Sequence, residues 1–533
     1  MATLTLSQSF EDDWPPDVLE GSTITSRSAT AMTYASVLGY TVTLTGTGLA
    51  YDADGFPSGG TVTGCTIALG GITYASFAGV SANFARAGML IFGYDRGNGD
   101  FRNPDPFSFL EIMLRGNDVI NGSAEDDDIR SGAGNDSVNG GLGRDHIFDE
   151  AGNDTMNGGD DWDTLSYEEA YWRWESFRGV NLDALTGIAL DPYGNTDSFS
   201  NFERYKDTFY ADTLKGANIN EEFSITRGND IVDGRGGFDI VDYSESNFWG
   251  AKRGVNVNLS TGVATDSWGG TDTLSNVEGI RGSTFNDTLV GNGLDNEFDG
   301  GKGRDRYDGE TGFDRVGFWS TGWQGGGHGA VIDLTLTTGN IVDDGFGNVE
   351  TATRIDAFHG GDHADRFTGN GGMNWFEGNG GNDTLTGAGG EDFLGGGWGN
   401  DVISGGAGNN DHIDGGGDND TLTGNGGNDN FNFGWDLADA GLDTITDMQA
   451  GVDQIWIASW WGGGFANQDL AANQFRSGAS VTTANSATQR VIYDTATGDL
   501  YFDIDGSGGA TAVKFATLSN HAALTFGDIH IMF

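Results

Sequence analysis

The chain has 533 residues, and its 79 Asp and Glu stand against 26 Lys and Arg, a formal net charge of −53. That balance excludes nucleic acid as a partner, because phosphates call for Lys and Arg, and it excludes docking on an anionic membrane surface. The 37% hydrophobic and 11% aromatic content excludes a merely solvating acidic tail, while 92 glycines without a G-X-Y period exclude collagen and imply many turns.

Residues 1–114 read as a small β-rich N-terminal cap. The opening MATLTLSQSFEDDW has neither a basic nor an apolar segment, so no Sec signal is expected. Residues 40–45 (YTVTLT) and 60–63 (GTVT) alternate apolar and hydroxyl side chains, which predicts half-buried strands. Cys65 is the single cysteine, so no intrachain disulfide can form, and it reads as a small apolar strand residue. Residues 104–114 (PDPFSFLEIML) predict a short helix. No apolar run approaches ~18 residues, so no membrane-spanning helix is expected.

Residues 115–433 repeat with a period of nine. Acids stand at Asp118, Asp127, Asp136, Asp145, Asp154 and Asp163, each followed two residues later by an apolar side chain such as Ile120 or Leu165. The step returns at Glu203, Asp212, Glu221, Asp230 and Asp239, and again at Glu278, Asp287, Asn296, Asp305 and Asp314. A last run holds Asp356, Asp365, Asn374, Asp383, Asp392 and Asp401, then slips by one residue to Asp411, Asp420 and Asp429. Two residues before many of these acids stands a glycine: Gly116, Gly134, Gly143, Gly152, Gly228, Gly237, Gly303, Gly312, Gly381, Gly390, Gly399 and Gly427.

Each unit has a glycine turn and a short β-prone half. A three-residue strand cannot bury its face alone, so two turns and two strands form one coil, and coils stack as parallel sheets. Stacking lines the carboxylates up along two edges, where they repel unless a cation lies between them. A hard dication taking six to eight oxygens fits, supplied by Asp side chains and by turn carbonyls such as those of Gly381 and Gly399. Magnesium demands octahedral geometry and keeps its waters, and zinc lacks its usual His and Cys set.

Three inserts interrupt the repeats, at about 164–202, 240–277 and 315–355, giving a module of roughly 75 residues. Their strand-like runs (residues 179–182, 254–259 and 330–334) predict widened coils and not separate domains. Aromatics concentrate there: Tyr171, Trp172 and Trp174, then Phe248 and Trp249, then Phe318, Trp319 and Trp323. Two roles fit them: cover for an open edge of the roll, or a platform for polysaccharide or a second protein copy.

Residues 434–533 form a C-terminal β region. Residues 443–447 (DTITD) and 451–455 (GVDQI) predict strands flanking the roll, and residues 490–505 predict a hairpin around Thr497-Gly498-Asp499. Residues 503–506 (DIDG) open like an EF-hand loop, but Lys514 stands where its bidentate Glu belongs, so a hairpin turn is expected.

The units Gly140-Gly141-Leu142-Gly143-Arg144-Asp145, Gly300-Gly301-Lys302-Gly303-Arg304-Asp305 and Gly405-Gly406-Ala407-Gly408 resemble the RTX, or haemolysin-type calcium-binding, repeat. The resemblance implies an all-β parallel β-roll solenoid with multiple calcium ions between turns of successive coils, roughly ten to twenty in all. Glu221, Asn296 and Asn374 depart from the pattern, as does the extra residue in Asn409-Asn410-Asp411. The ending Asp528-Ile529-His530-Ile531-Met532-Phe533 is similar to the terminal signal of RTX proteins exported by type I secretion. That similarity implies type I machinery as a partner during export and an extracellular or cell-surface location.

RTX proteins can carry proteases, lipases or epimerases, and this sequence shows none of their signatures. Residues 359–363 (HGGDH) lack the Glu of H-E-x-x-H, and no G-x-S-x-G or P-loop occurs. No apolar helical segment precedes the repeats, as a pore-forming toxin requires. The expectation is a non-enzymatic, calcium-folded surface or adhesive protein. The competing reading is a carbohydrate-active enzyme or hydrolase, with its site in the N-terminal region or an insert.

Overall fold

The computed structural model describes the backbone of six strands before residue 84. It also describes residues 117–532, apart from 169–177, 246–249, 409, 463–464 and 466–468 and the side chain of Trp323. The helix expected over 104–114, Gly116, Asn409 and the aromatics Tyr171, Trp172, Trp174, Phe248 and Trp249 lie outside the described residues. The chain divides into two compact units, Met1–Glu245 with Gly262–Val277, and Ser246–Thr261 with Glu278–Phe533.

In the first unit the nine-residue period becomes an 18-residue coil. Val119–Asn121, Ser137–Gly141 and Thr155–Gly159 pair in parallel, Ile120 opposite Val138 and Val138 opposite Met156. Alternate units build a second parallel ladder from Asp128–Arg130, His146–Phe148 and Thr164–Ser166. The apolar residue two positions after each acid faces inward, and Ile120, Ile147 and Leu165 are fully buried. Three-residue strands are stable here because each backbone group bonds the coil above or below and each inward side chain stacks on its counterpart. Before the repeats, Tyr40–Tyr51 pairs antiparallel with Pro57–Leu69, and Thr3–Leu6 bonds both Ile72–Asn83 and Val119–Asn121.

The second unit repeats this plan. Trp375–Glu377, Phe393–Trp398, His412–Gly417 and Asn430–Phe433 run in parallel, as do Arg366–Thr368, Thr384–Ala388, Val402–Gly406 and Thr421–Asn425. Phe376, Leu385, Ile403, Ile413 and Phe431 are fully buried between these ladders.

The first and third inserts widen one ladder and leave the other continuous. Thr164–Ser166 pairs directly with Arg204–Lys206, and Arg315–Gly317 with Ala357–His359, so the insert is bypassed on that side. On the other side the chain adds short strands, of which one runs against the rest: Ile188–Leu190 lies antiparallel to both Asn181–Asp183 and Thr196–Ser200. Val263–Thr265 and Ile341–Asp343 are its counterparts in the second and third inserts. Phe318 is buried, so it serves the core, and Trp319 lies half-buried over Gly317.

The C-terminal region extends both ladders of the second unit. Gln454–Ala458 pairs with Asn430–Phe433 and then with Ile529–Met532, while Asp443–Ile445 pairs with Thr421–Asn425 and Val513–Leu518. The expected hairpin is present, Val491–Asp494 against Asp499–Phe502, with Gly498 at φ 80° in its turn. Among the described residues no helix is long and apolar enough to cross a membrane.

Candidate metal centres

The acids expected from the period all sit on the edges of the ladders, at the end of a turn and the start of a strand. Asp118, Asp127, Asp136, Asp145, Asp154, Asp163, Asp212, Asp230, Asp239, Asp287, Asp305 and Asp314 are at most 3% exposed. The same holds for Asp365, Asp383, Asp392, Asp401, Asp411, Asp420 and Asp429. From Asp136 onward one oxygen of each is spoken for by the neighbouring coil. The backbone N–H of Asp118 donates to Asp136 Oδ1 at 2.6 Å, that of Asp136 to Asp154 Oδ1 at 2.6 Å, and that of Asp383 to Asp401 Oδ1 at 2.7 Å. At the one-residue slip the bond survives, from Asp392 N–H to Asp411 Oδ1 at 3.0 Å.

The other oxygen divides the acids into two classes. In Asp136, Asp145, Asp163, Asp383, Asp392, Asp401, Asp411, Asp420 and Asp429 the Oδ2 atom is buried without a hydrogen-bond partner. In the second acid of each run that follows an insert it is satisfied locally. Asp212 Oδ2 accepts from Thr208 N–H at 3.2 Å, Asp287 Oδ2 from Ser283 N–H at 2.7 Å, and Asp365 Oδ2 from Gly361 N–H at 3.0 Å. Asp127 Oδ2 likewise accepts from Ser123 N–H. A buried carboxylate oxygen with no donor is costly, so the first class is built for something that the protein chain does not itself supply.

The glycines explain what the bare oxygens face. A Cβ at Gly140 would lie 2.2 Å from Asp145 Oδ2 and 2.3 Å from the carbonyl oxygen of Gly158 in the next coil. At Gly378 the figures are 2.1 Å to Asp383 Oδ2 and 2.5 Å to the Gly396 carbonyl, and at Gly396 they are 2.1 Å to Asp401 Oδ2 and 2.4 Å to the Gly415 carbonyl. Carboxylate and carbonyl oxygens thus converge where a side chain is missing, five residues before the acid. The glycines named from the sequence, two residues before it, act differently. Gly134, Gly143, Gly237, Gly303, Gly312, Gly381, Gly390, Gly399 and Gly427 hold positive φ angles that shape the turn. Gly152 and Gly228 instead let turns approach, a Cβ at Gly152 meeting the Gly134 carbonyl oxygen at 1.5 Å and one at Gly228 the Tyr210 carbonyl oxygen at 2.5 Å.

Burial and mutual repulsion lift the carboxyls out of their ordinary range. Burial first, and then the charges of Asp154 and Asp118, push Asp136 up to about 8 against the bond from Asp118 N–H. Asp383 rises to about 8 and Asp401 to about 6 from the same first cause. Oxygens that are dear to ionise and lack donors suit a dication taking six to eight oxygens.

The substituted positions keep the frame without the bare acid. Asn296 Oδ1 accepts from Asn292 N–H and its Nδ2 donates to the Glu278 carbonyl, while Asn374 Oδ1 accepts from Asn370 N–H. Two clusters that the period did not point to bring acids within 4.8 Å of one another: Asp149 with Asp154 and Asp197, and Asp207 with Asp212 and Asp230. Asp149 and Asp207 each stand five residues before a ladder acid, where most units keep glycine. That substitution was visible in the sequence, whereas the approach of Asp197 was not.

The family profile of the RTX calcium-binding nonapeptide repeat (four copies) matches residues 114–147, 139–169, 281–316, 359–394, 377–410 and 409–436. The chain carries RTX calcium-binding repeats. Its cofactor is therefore calcium, and the structure also places buried carboxylates close enough together to form ion sites. No curated protein matches the chain. RTX repeat proteins are generally extracellular.

Proposed function

We propose that this is an exported protein whose roll folds when calcium enters the ladder. The ions are held by the Oδ2 atoms of the first class of acids together with carbonyl oxygens of the stacked turns. The observation that carries the reading is the register of buried Oδ2 atoms without donors. In a calcium-poor cytosol these carboxylates repel one another and keep the chain extended enough for type I export. Outside, calcium at sub-millimolar to millimolar concentration matches weak extracellular sites, and ions that bind only the folded state draw folding forward. The role is structural or adhesive at the cell surface. Circular dichroism of the full chain tests this: little β signal in chelator and recovery on adding calcium are expected, and a spectrum indifferent to chelator would defeat it.

A cleft in the second unit favours contact with a polysaccharide as part of that role. It encloses about 530 Å³ above Gly395, between Glu377 and Asp414 on the flanking strands. Trp398 and Trp435, edge to face at 4.7 Å, form one wall. Carboxyls beside indoles suit sugar hydroxyls and ring faces. Retention of the calcium-loaded protein on insoluble glucan, lost in Trp398→Ala, checks the point; equal retention of both proteins removes it.

A further inference from the structure

Near its end each insert carries one short pattern: an acid, an aromatic residue two positions on, glycine three on and a second acid six on. It reads Asp191, Tyr193, Gly194, Asp197, then Asp266, Trp268, Gly269, Asp272, then Asp344, Phe346, Gly347, Glu350. All six acids are at most 2% exposed. The second acid takes the place of the missing ladder carboxylate. Asp154 N–H donates to Asp197 Oδ1 at 3.0 Å, Asp230 N–H to Asp272 Oδ1 at 3.1 Å and Asp305 N–H to Glu350 Oε1 at 2.9 Å. The first acid is curled into its own turn, as when Asp191 Oδ1 accepts from Asn195 N–H at 2.6 Å.

At the first insert the arrangement is left incomplete by the protein. Asp149 adds a further carboxyl, and neither of its oxygens has a hydrogen-bond partner. Asp154 Oδ2, Asp197 Oδ2 and the Tyr167 hydroxyl also have none, although all four residues are at most 2% exposed. Tyr167 stands four residues after Asp163 as Tyr243 stands four after Asp239, and Tyr243 reaches Asp272, the counterpart of Asp197; burial first, and then the charges of Asp149, Asp197, Asp191 and Asp154, bear on the Tyr167 phenol. At the other two inserts a tyrosine does close the gap: Tyr243 donates to Asp272 Oδ2 and Tyr307 to Glu350 Oε2, each at 3.1 Å. A proton shared between Asp149 and Asp154 would relieve part of the repulsion. It would still leave Asp197 Oδ2 and the Tyr167 hydroxyl without partners.

We propose that the first insert completes a dedicated calcium site from Asp149, Asp154 and Asp197, with Asp191 behind them and the Tyr167 hydroxyl turned to the ion or its water. The site differs from those of the turns in having several carboxylates and a phenol in place of turn carbonyls. Ligand charge sets calcium affinity, so this site holds its ion more tightly than the ladder does. Asp154 and Asp197 are 43 residues apart, so the ion fastens the insert to the repeat.

The proposal rests on the calcium reading above, and its test separates the two. The full chain is equilibrated at about 10 µM free calcium, between sensor-type and extracellular affinities, and retained ions are counted by native mass spectrometry. Wild type is expected to keep at least one ion that the double variant Asp149→Asn, Asp197→Asn loses, while both show the same β signal in millimolar calcium. Equal retention in the two proteins overturns the site and leaves calcium-driven folding standing, whereas β signal without calcium overturns the parent reading alone. Should the double variant not fold, Tyr167→Phe decides. Removing a partnerless buried hydroxyl leaves ion retention unchanged if no ion is there, and lowers it several-fold if the site is real.

Discussion

Replacing Gly396 by Ala tests the convergence of oxygens directly. The new methyl would lie 2.1 Å from Asp401 Oδ2 and 2.4 Å from the Gly415 carbonyl oxygen, both well inside contact distance. Overpacking of this kind costs about 1–3 kcal/mol, and that cost is present with or without calcium. If the two oxygens also share an ion, the variant loses its linkage contribution, about 2.7 kcal/mol at a free calcium 100-fold above the dissociation constant. The expected penalty is therefore about 1–3 kcal/mol in chelator and about 4–6 kcal/mol in calcium. The control is Gly371→Ala, an exposed turn position with nothing within 4 Å of a new Cβ. Denaturant unfolding of the full chain, followed by circular dichroism, gives both differences, with the chelator arm read at about pH 5, where protonated carboxyls favour the calcium-free roll. An equal penalty for Gly396→Ala in the two conditions would refute ion sharing at this position, and no penalty at all would refute the packing.

The raised carboxyls set the pH dependence. A group whose folded value exceeds its unfolded value of 3.8 favours folding below that value, and this contribution is lost as pH climbs through the folded value. In chelator the β signal should therefore decline as pH rises from about 5 to about 9, and calcium should matter most at the upper end; a signal that grows with pH contradicts this. Asn374→Asp places an acid where Asn370 N–H now satisfies an amide oxygen. It should destabilise the calcium-free roll and move the calcium midpoint of folding, as read by a calcium titration. Arg235 makes a two-pronged contact with Asp183, at 2.9 and 2.7 Å, but the pair is only partly buried. Arg235→Ala should thus cost only about 0.5–1 kcal/mol by thermal unfolding. Magnesium in place of calcium should leave the spectrum close to that in chelator, because it gives up its waters reluctantly.

Much of this molecule was legible in a string of letters because its strongest constraint is local and periodic. The acid at every ninth position and the apolar residue two beyond it fixed the coil, the two ladders and the inward faces of Ile120 and Leu385. The finer chemistry was less accessible. Glycines two residues before the acid and five before it look alike in sequence, yet the former mostly set turn conformation and the latter make room for converging oxygens. Asp197 could not be connected with Asp154, because an insert of irregular length separates them and no period links the two. The antiparallel strands inside the inserts, such as Ile188–Leu190, are too short to announce themselves and exist only because neighbouring strands offer an edge. In the sequence the aromatic residues of the inserts form one group. Phe318 proved to be a core residue, so that residue type in an insert does not by itself mark a surface platform.

The bond from each ladder acid's N–H to the carboxylate one coil further on has a mechanical meaning. These backbone-to-carboxylate bonds tie each coil only to its neighbour, so along this ladder of bonds a pull on one end of a run is met first by the outermost coil. Tension should strip the run coil by coil, each 18-residue coil releasing about 60 Å of slack. A tether of this construction lengthens under load in regular steps and shortens again once the load is gone and its ions return.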